Sequence, residues 1–514
     1  MPPVARAAPV PMKALIPKRL LVVAAVVSVV VSVLALERYR GLLPLRRWQR
    51  ERRAAGEKLT VAELQPAPLS GSQTRLLAPG EIQGRLAAFA TSYSLPSAMG
   101  YVASGKARLI SLSEGWTDWS NRTNNWAGLA KRFEALQEPL EGLRADLRAR
   151  TFMPRLTYEP TATLAHLNAY RTTAQVLAAA ALLDLHDQRL DAALENLLAL
   201  RALEGLTKRE FTLVSQMARC TVAQIALNVF WEALQTPCWT DAQLARLQEA
   251  CAPGDCLDDL VAALRMERAM GDVSFDRMRI SLKEKRRLIP PPSAYASGSS
   301  GLAGSLTTIV GSLMYATERF RAAFHGWLWQ VAWSYQDQLR FDRRLESGIA
   351  AAAQVARRQA SLPEALRLAT ASRPPDSPNQ YNRLRFQGTA SMLPRLGTVL
   401  PRVTVTEARR QLTFVAAALL RYRLRFGHAP ASLEALVPEF LPELPRDYCD
   451  DQVLRYRLQS DGAFLLYSVG ADGRDDGGQR AADFDAWETS FSGRDLLWPQ
   501  VATEEDIRTA TRRR

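Results

Sequence analysis

The sequence predicts a mainly α protein: an N-terminal transmembrane helix, an all-α helical body, and a small α+β module near the C-terminus. Three observations predict it. Residues Leu20–Leu36 are apolar or small and carry no charge. Between Ala127 and Ile280, and again over Phe320–Leu368, apolar residues recur at spacings of three and four, the period of a helix with one buried face. Near the C-terminus two short apolar runs flank Ser460, Asp461 and Gly462, and Asp-Gly is a hairpin turn signal.

The apolar run LLVVAAVVSVVVSVLAL follows Lys18 and Arg19. As a helix it covers about 26 Å, close to the ~30 Å hydrocarbon core. Valine is a poor helix former in water, but within lipid a helix satisfies every backbone polar group inside the segment. The run therefore reads as a single-pass anchor at 20–36, behind a disordered cytoplasmic tail at 1–19. A cleaved export signal is the alternative, with Val33, Leu34 and Ala35 as the cut site. Arg38, Arg40, Arg46, Arg47, Arg50, Arg52 and Arg53 on the far side argue for a cytoplasmic body by simple charge count. Lys18 and Arg19 abutting the run, and the ease with which large domains translocate, argue for export. We expect export, which places the chain in a bacterial inner membrane with its bulk in the periplasm.

The 514 residues, 47% hydrophobic and 23% charged, describe a globular chain with ample core. The formal charge is +14, but its densest runs stand beside the anchor and at Arg512, Arg513 and Arg514. Anionic headgroups, reached by Arg38, Arg40, Arg46 and Arg47, are the nearer partner, and no nucleic-acid motif is present. Cys251 and Cys256 bracket Ala-Pro-Gly-Asp, a turn that brings two thiols near each other. They read either as a disulfide or as two separate buried thiols. Zinc is not expected, since no histidine lies at ligand spacing.

In chain order, 37–63 is a basic membrane-proximal stalk interrupted by Pro44, and 64–370 is the helical body, with a break at 289–305 rich in Pro, Ser and Gly. Within the body, Ala174–Leu206 reads as an antiparallel helix pair turned at His186, Asp187 and Gln188. Thr240 or Asp241 caps the helix that follows. Trp116, Trp119 and Trp126 are either buried anchors or a sugar-stacking surface. Leu306–Tyr315 is apolar but too short to span a membrane. Residues 371–403, with five prolines, read as a linker. The module occupies 404–487, and 488–514 is a tail.

The module is the most specific stretch. A helix at Thr404–Phe426 ends in Arg421, Tyr422 and Arg423 and stops at Gly427. Pro430, Leu433, Leu436, Val437 and Pro438 follow, then Leu444, Pro445, Arg446 and Asp447. Two strands, Val453–Leu458 and Ala463–Ser468, lead into Gly470, Ala471, Asp472 and Gly473, then Gly477, Gly478, Ala482 and Asp483. Over about 80 residues this order resembles the globular domain of the major pseudopilin of type II secretion systems. It also resembles the tail of membrane-anchored bacterial proteins that share a GEKLTVAEL-like stretch, here Gly56–Leu64. The resemblance implies an α+β pseudopilin-like fold and a calcium-binding final loop. Asp472 and Asp483 would be ligands, with Asp475 or Asp476 and the Ser468 carbonyl beside them. Calcium takes six to eight oxygens on a flexible loop, and Asp485 adds a further carboxylate. A solvated acidic turn is the other reading. The pseudopilin cleavage glycine and the following Phe-Thr-Leu-x-Glu are missing from the anchor, so assembly as a pilus subunit is not expected.

No H-E-x-x-H, G-x-S-x-G or phosphate-binding glycine loop occurs, and the four histidines are scattered. We therefore expect a non-enzymatic, membrane-anchored envelope protein for protein–protein interaction, associated with a type II secretion or pilus-like assembly. An envelope hydrolase acting on glycans is the alternative, with the Trp116–Trp126 cluster on sugar.

Overall fold

The computed structural model describes residues 18–66, 75–89, 94–103, 105–117, 122–150, 152–159, 162, 164–289, 320–371, 379–460, 462–478 and 494–512. Trp119, Asp461, Ala482, Asp483, Asp485, residues 290–305 of the break and the run Leu306–Tyr315 lie outside the described residues. The described chain is mainly helical. It groups into two compact units that do not follow the linear order. One is Met1–Glu57, Asp272–Phe341 and Ser377–Met392; the other is Lys58–Gly271, Asp342–Asp376 and Leu393–Arg514.

The first unit is built on helix α1, Lys18–Ala54. It contains the one helix among the described residues that is long and apolar enough to cross a membrane, with a mean hydropathy of 2.7 and none of that stretch buried. Pro44, expected to interrupt the chain, sits inside this unbroken helix. Proline removes one backbone donor and crowds the preceding turn, but Leu45 and Trp48 bury against Leu339 immediately beyond it and hold the helical path. The expected stalk is thus helical as far as Ala54 and packed at Gly41, Leu45 and Trp48. At Gly41 the crossing with residues 335 and 336 is so close that a Cβ would lie 2.6 Å from the Gln336 backbone nitrogen. Gln336 donates to the Glu37 carbonyl at 2.5 Å, and Tyr335 is covered by the guanidinium groups of Arg38 at 4.8 Å and Arg279 at 4.0 Å. A π-helical turn, Trp329–Trp333, precedes this contact. Buried Asp337 ties it down, accepting from the Trp329 indole at 2.9 Å and from the Gly388 and Thr389 backbone at 2.7 and 3.0 Å.

In the second unit, α2 (His166–His186), α3 (Leu190–Leu206) and α4 (Leu213–Ala233) pack on one another. The α2–α3 pair with its turn at Asp187 and Gln188 is the expected hairpin. Helix α2 is buried on every side from Val176 to Leu185, as a helix apolar all round must be. Helix α5 (Asp241–Ala250) opens with Thr240 as N-cap, reciprocated by Gln243. The body is not all-α, however. Arg75–Leu77 pairs in parallel with Phe152–Pro154, whereas Gly100–Ala103 pairs antiparallel with Lys106–Arg108. Gly115–Thr117 pairs with Thr123–Asn125. These strands are too short for period-two alternation to register in the sequence.

Helix α6, Leu396–Phe426, begins within the expected linker, runs through Pro401 and ends at Gly427 in the left-handed conformation. It packs on α4 and α5 and on the strand Phe464–Ser468. That strand pairs antiparallel with Arg455–Leu458, the expected hairpin, and with Leu496–Leu497 from the expected tail. Gln500–Val501 then pairs with Lys106–Ala107 of the body. The tail is therefore a structural part of the second unit.

Candidate functional site: an acidic loop over a buried charge cluster

The expected calcium loop follows the central strand of the module. Gly470, Gly473, Gly477 and Gly478 all adopt positive φ, so the backbone can turn where a side chain would strain it. Asp447, in the Leu-Pro-Arg-Asp motif, is the buried pin of the site. It accepts from the Cys449 and Val469 backbone, each at 2.9 Å, and from the Ser468 hydroxyl at 2.8 Å. Burial pushes its carboxyl up, against these donors. Ser468 is itself buried, its hydroxyl also accepting from Gly470 N at 3.3 Å.

The loop carboxylates divide into two roles. Asp475 accepts from Arg455 at 3.1 Å, the Tyr467 hydroxyl at 3.0 Å and Gly477 N at 2.9 Å. Partial burial works against it, but these donors prevail and hold its carboxyl below the usual range. Asp472 accepts from Arg474 N at 3.0 Å in a local turn. Asp476 is exposed, while Asp495, which sequence reading left out, accepts from the Asp476 and Gly478 backbone at 3.4 and 2.7 Å. Among the described residues no three His, Cys, Asp or Glu side chains converge as a ligand set; Asp483 lies outside them.

Helix α6 lies beneath this loop, with Ala408 packed against Cys449 and Val469. Its neighbouring residues enter a buried charge cluster. Arg410 donates to Glu204 at 2.7 Å and to Glu407 at 3.1 Å, and all three side chains are essentially sealed from solvent. Arg201 also pairs with Glu204, and Arg219 with Asp259. Burial penalises the Glu204 carboxylate, yet Arg201, Arg410 and Arg219 outweigh it and bring the group down to about 2. Asp259 shows the opposite balance: burial prevails over Arg219 and pushes it up to about 6. Gly254 N donates to Glu407 at 2.9 Å, which seats the Cys251–Cys256 turn on the cluster.

Cys251 and Cys256 are both free and buried. The disulfide reading is thus not what the structure forms. Burial pushes the Cys251 thiol up to about 12 and likewise holds the Cys256 thiol well above its ordinary value, away from the reactive range. Trp116 and Trp126 are buried with their rings 5.0 Å apart; Trp126 stacks on His186 at 4.6 Å and donates to the Ser113 carbonyl at 2.7 Å. Of the arginines expected at headgroups, Arg38 packs on Tyr335. Arg40 pairs with Glu37 and Arg47 with Glu51, both while largely exposed, and Arg46 is exposed.

Sequence reasoning missed Glu204, Arg219, Glu407 and Arg410 altogether. It held Asp447 only as part of a motif, where its place before the hairpin was the available signal. Comparison with protein-family models, curated proteins and solved structures finds no match.

Proposed function

We propose that this chain is a single-pass, membrane-anchored protein of the bacterial envelope. Its helical body and pseudopilin-like C-terminal module stand on the periplasmic side of the inner membrane. They act there by protein–protein interaction, alongside a secretion or pilus-like assembly, and not by catalysis. The observation that carries the anchoring is helix α1, exposed and apolar over Leu20–Val33 yet packed from Gly41 to Trp48. Exposed apolar surface of that length has a natural solvent only in lipid. Leu424, Phe426, Val453 and Leu458 leave apolar surface exposed on the module, which supports a protein partner there. Burial of Trp116 and Trp126 weighs against the glycan hydrolase, whose sugar-stacking surface they would have to supply.

Calcium, as a structural ion, belongs to the same proposal. Its support is the chemistry of the loop: Asp472, Asp475 and Asp476 in one glycine-rich turn, with Asp495 brought to it through the Asp476 and Gly478 backbone. Such hard oxygen donors on a glycine-rich turn suit calcium.

Carbonate extraction should leave the chain in the membrane pellet, and protease added to spheroplasts should degrade the body. A photo-crosslinking residue at Leu424 or Leu458 should give one discrete adduct in cells. A body protected from protease places the bulk in the cytoplasm and overturns the orientation. Absence of any adduct from either position, in cells where the chain is intact, overturns the interaction reading.

A further inference from the structure

In the first compact unit one guanidinium is left without an acceptor by its own chain. Arg385 closes the short helix Gln380–Arg385. Its side chain is only 21% exposed, yet it makes no hydrogen bond among the described residues. Its Nε is buried and unpartnered. The one carboxylate oxygen within 4.0 Å of it, among the described residues, belongs to Glu37, and 4.0 Å is too long for a hydrogen bond. The guanidinium lies over the rings of Phe386 and Tyr381, at 5.1 and 5.7 Å. Glu37 cannot answer it, because its carboxylate is already taken. Arg40 donates to one oxygen at 2.7 Å and Gln336 to the other at 3.1 Å.

The charges around Glu37 do not balance. One carboxylate stands between the guanidiniums of Arg40 and Arg385. Arg38, next along α1, is engaged by the Tyr335 ring and hydroxyl. Arg279, also over Tyr335, is paired with Asp276. A guanidinium covered to this extent carries the cost of unmet donors unless something outside the chain supplies oxygen. Glu37 also gives the depth directly. It is the first residue beyond the apolar run Leu20–Leu36. A group 4.0 Å from its carboxylate therefore lies in the headgroup layer, roughly 5–7 Å thick on each side of the hydrocarbon core. Tyr39 on α1 and Tyr381 beneath the guanidinium are exposed to 55% and 43%, and tyrosine favours that boundary. The anionic oxygens abundant at that depth are lipid phosphodiesters, whose geometry the guanidinium fork matches.

We infer that Arg385 and Arg40 form a binding site for the phosphodiester of an anionic lipid, at the point where α1 leaves the hydrocarbon. The inference rests on α1 spanning the membrane. The site ties a segment from late in the chain, 380–385, to the same lipid layer as the N-terminal anchor.

The test is native mass spectrometry of the full chain in detergent, with phosphatidylglycerol and phosphatidylcholine supplied in equal amounts. The parent should retain phosphatidylglycerol in preference. Arg385→Gln should lower that retention roughly tenfold, the effect of losing a charge-assisted hydrogen bond. Glu37→Gln should raise it, because the competing carboxylate is gone, and a misfolded chain would show no such gain. Arg53→Gln removes an exposed charge ~24 Å farther along α1 and should change nothing. A parent extracted from membranes by carbonate overturns the anchor, and the site with it. A parent that stays in the carbonate pellet but shows no lipid preference overturns the site alone, as does an Arg385→Gln chain that keeps the preference. Equal loss in Arg53→Gln assigns the preference to overall charge and overturns the site as well. Reduced retention in a folded Glu37→Gln chain overturns the assignment of the phosphodiester to this corner. Displacement of the lipid by millimolar inorganic phosphate makes this a free-phosphate site and overturns the lipid assignment.

Discussion

Glu204 is the residue whose loss should say most about how the second unit is held. Its carboxylate sits among Arg201, Arg219 and Arg410, which bring it from its ordinary 4.5 to about 2. A shift of that size corresponds to roughly 3 kcal/mol of stability, at 1.36 kcal/mol per pKa unit. The folded value lies below the unfolded one. The stabilisation is therefore fully present above about pH 4.5 and is lost as pH falls toward about 2. Glu204→Gln keeps the shape and one acceptor but leaves buried Arg410 short of a counter-charge. The expected cost at pH 7 is about 3 kcal/mol, in the range for breaking a buried ion pair. Urea titration of the detergent-solubilised chain, followed by far-UV circular dichroism, should show this deficit at pH 7 and a narrowing gap below pH 4.5. Adding Arg410→Met should recover part of the loss, because the unpaired buried charge is then gone. A Glu204→Gln chain within about 0.5 kcal/mol of the parent at pH 7, the usual range of a surface substitution, would refute the reasoning. So would a deficit that does not change with pH.

Gly41→Leu should force α1 from residues 335 and 336, at about 1–3 kcal/mol, and should be read as new protease cleavage near Arg46–Arg53 with membrane retention unchanged. Asp447→Ala strands the Cys449 and Val469 N–H groups and the Ser468 hydroxyl. It should cost about 3 kcal/mol or more, while Asp447→Asn should cost less because an amide oxygen still accepts. If the loop takes calcium, the chain should melt higher in calcium than in chelator, with ~2.7 kcal/mol gained at a hundredfold excess over Kd. Asp472→Ala should remove that difference and Asp461→Ala should not; equal melting of the parent in calcium and chelator would exclude the site.

The parts of the fold legible in the sequence are those with local causes. Leu20–Leu36 is apolar all round, Thr240 and Gln243 form a cap within one turn, and Gly427 stops a helix because it alone tolerates φ of +78° cheaply. Pro44 and Pro401 mislead for the converse reason. A local rule against proline is overridden by packing that the sequence does not display, Leu45 and Trp48 on Leu339 in one case and α6 on α4 and α5 in the other. The short parallel pair Arg75–Leu77 with Phe152–Pro154 joins segments too distant for any local pattern. The candidate loop was legible as glycines and carboxylates, but its pin at Asp447 and its closure by Asp495 depend on chain folded back from elsewhere. Arg410 reads as an ordinary helix cation until Glu204 is brought to it.

That last pairing also constrains how the module works. A helix that leaves its body to join a filament must carry a surface that water or a partner can satisfy. Helix α6 carries Glu407, Arg409, Arg410 and Thr413 buried, and its own body satisfies them. Arg409 donates to Asn228 at 2.6 Å, Thr413 accepts from the Trp231 indole at 2.5 Å, and Arg410 pairs with Glu204. Withdrawing α6 would break the sealed pair of Arg410 with Glu204 and carry Arg410 and Glu407 out of the interior, leaving Glu204 to Arg201 and Arg219 alone, at a cost of about 3 kcal/mol or more for breaking a buried pair. It would also open the contact of Trp231 with Trp498 to solvent. Helix α6 is therefore one piece with the helices α2–α5. In the interaction reading we propose, the surface left for a partner is the outer residues Val453 and Leu458 and the helix end at Leu424 and Phe426, not the face of α6 that its own chain already occupies.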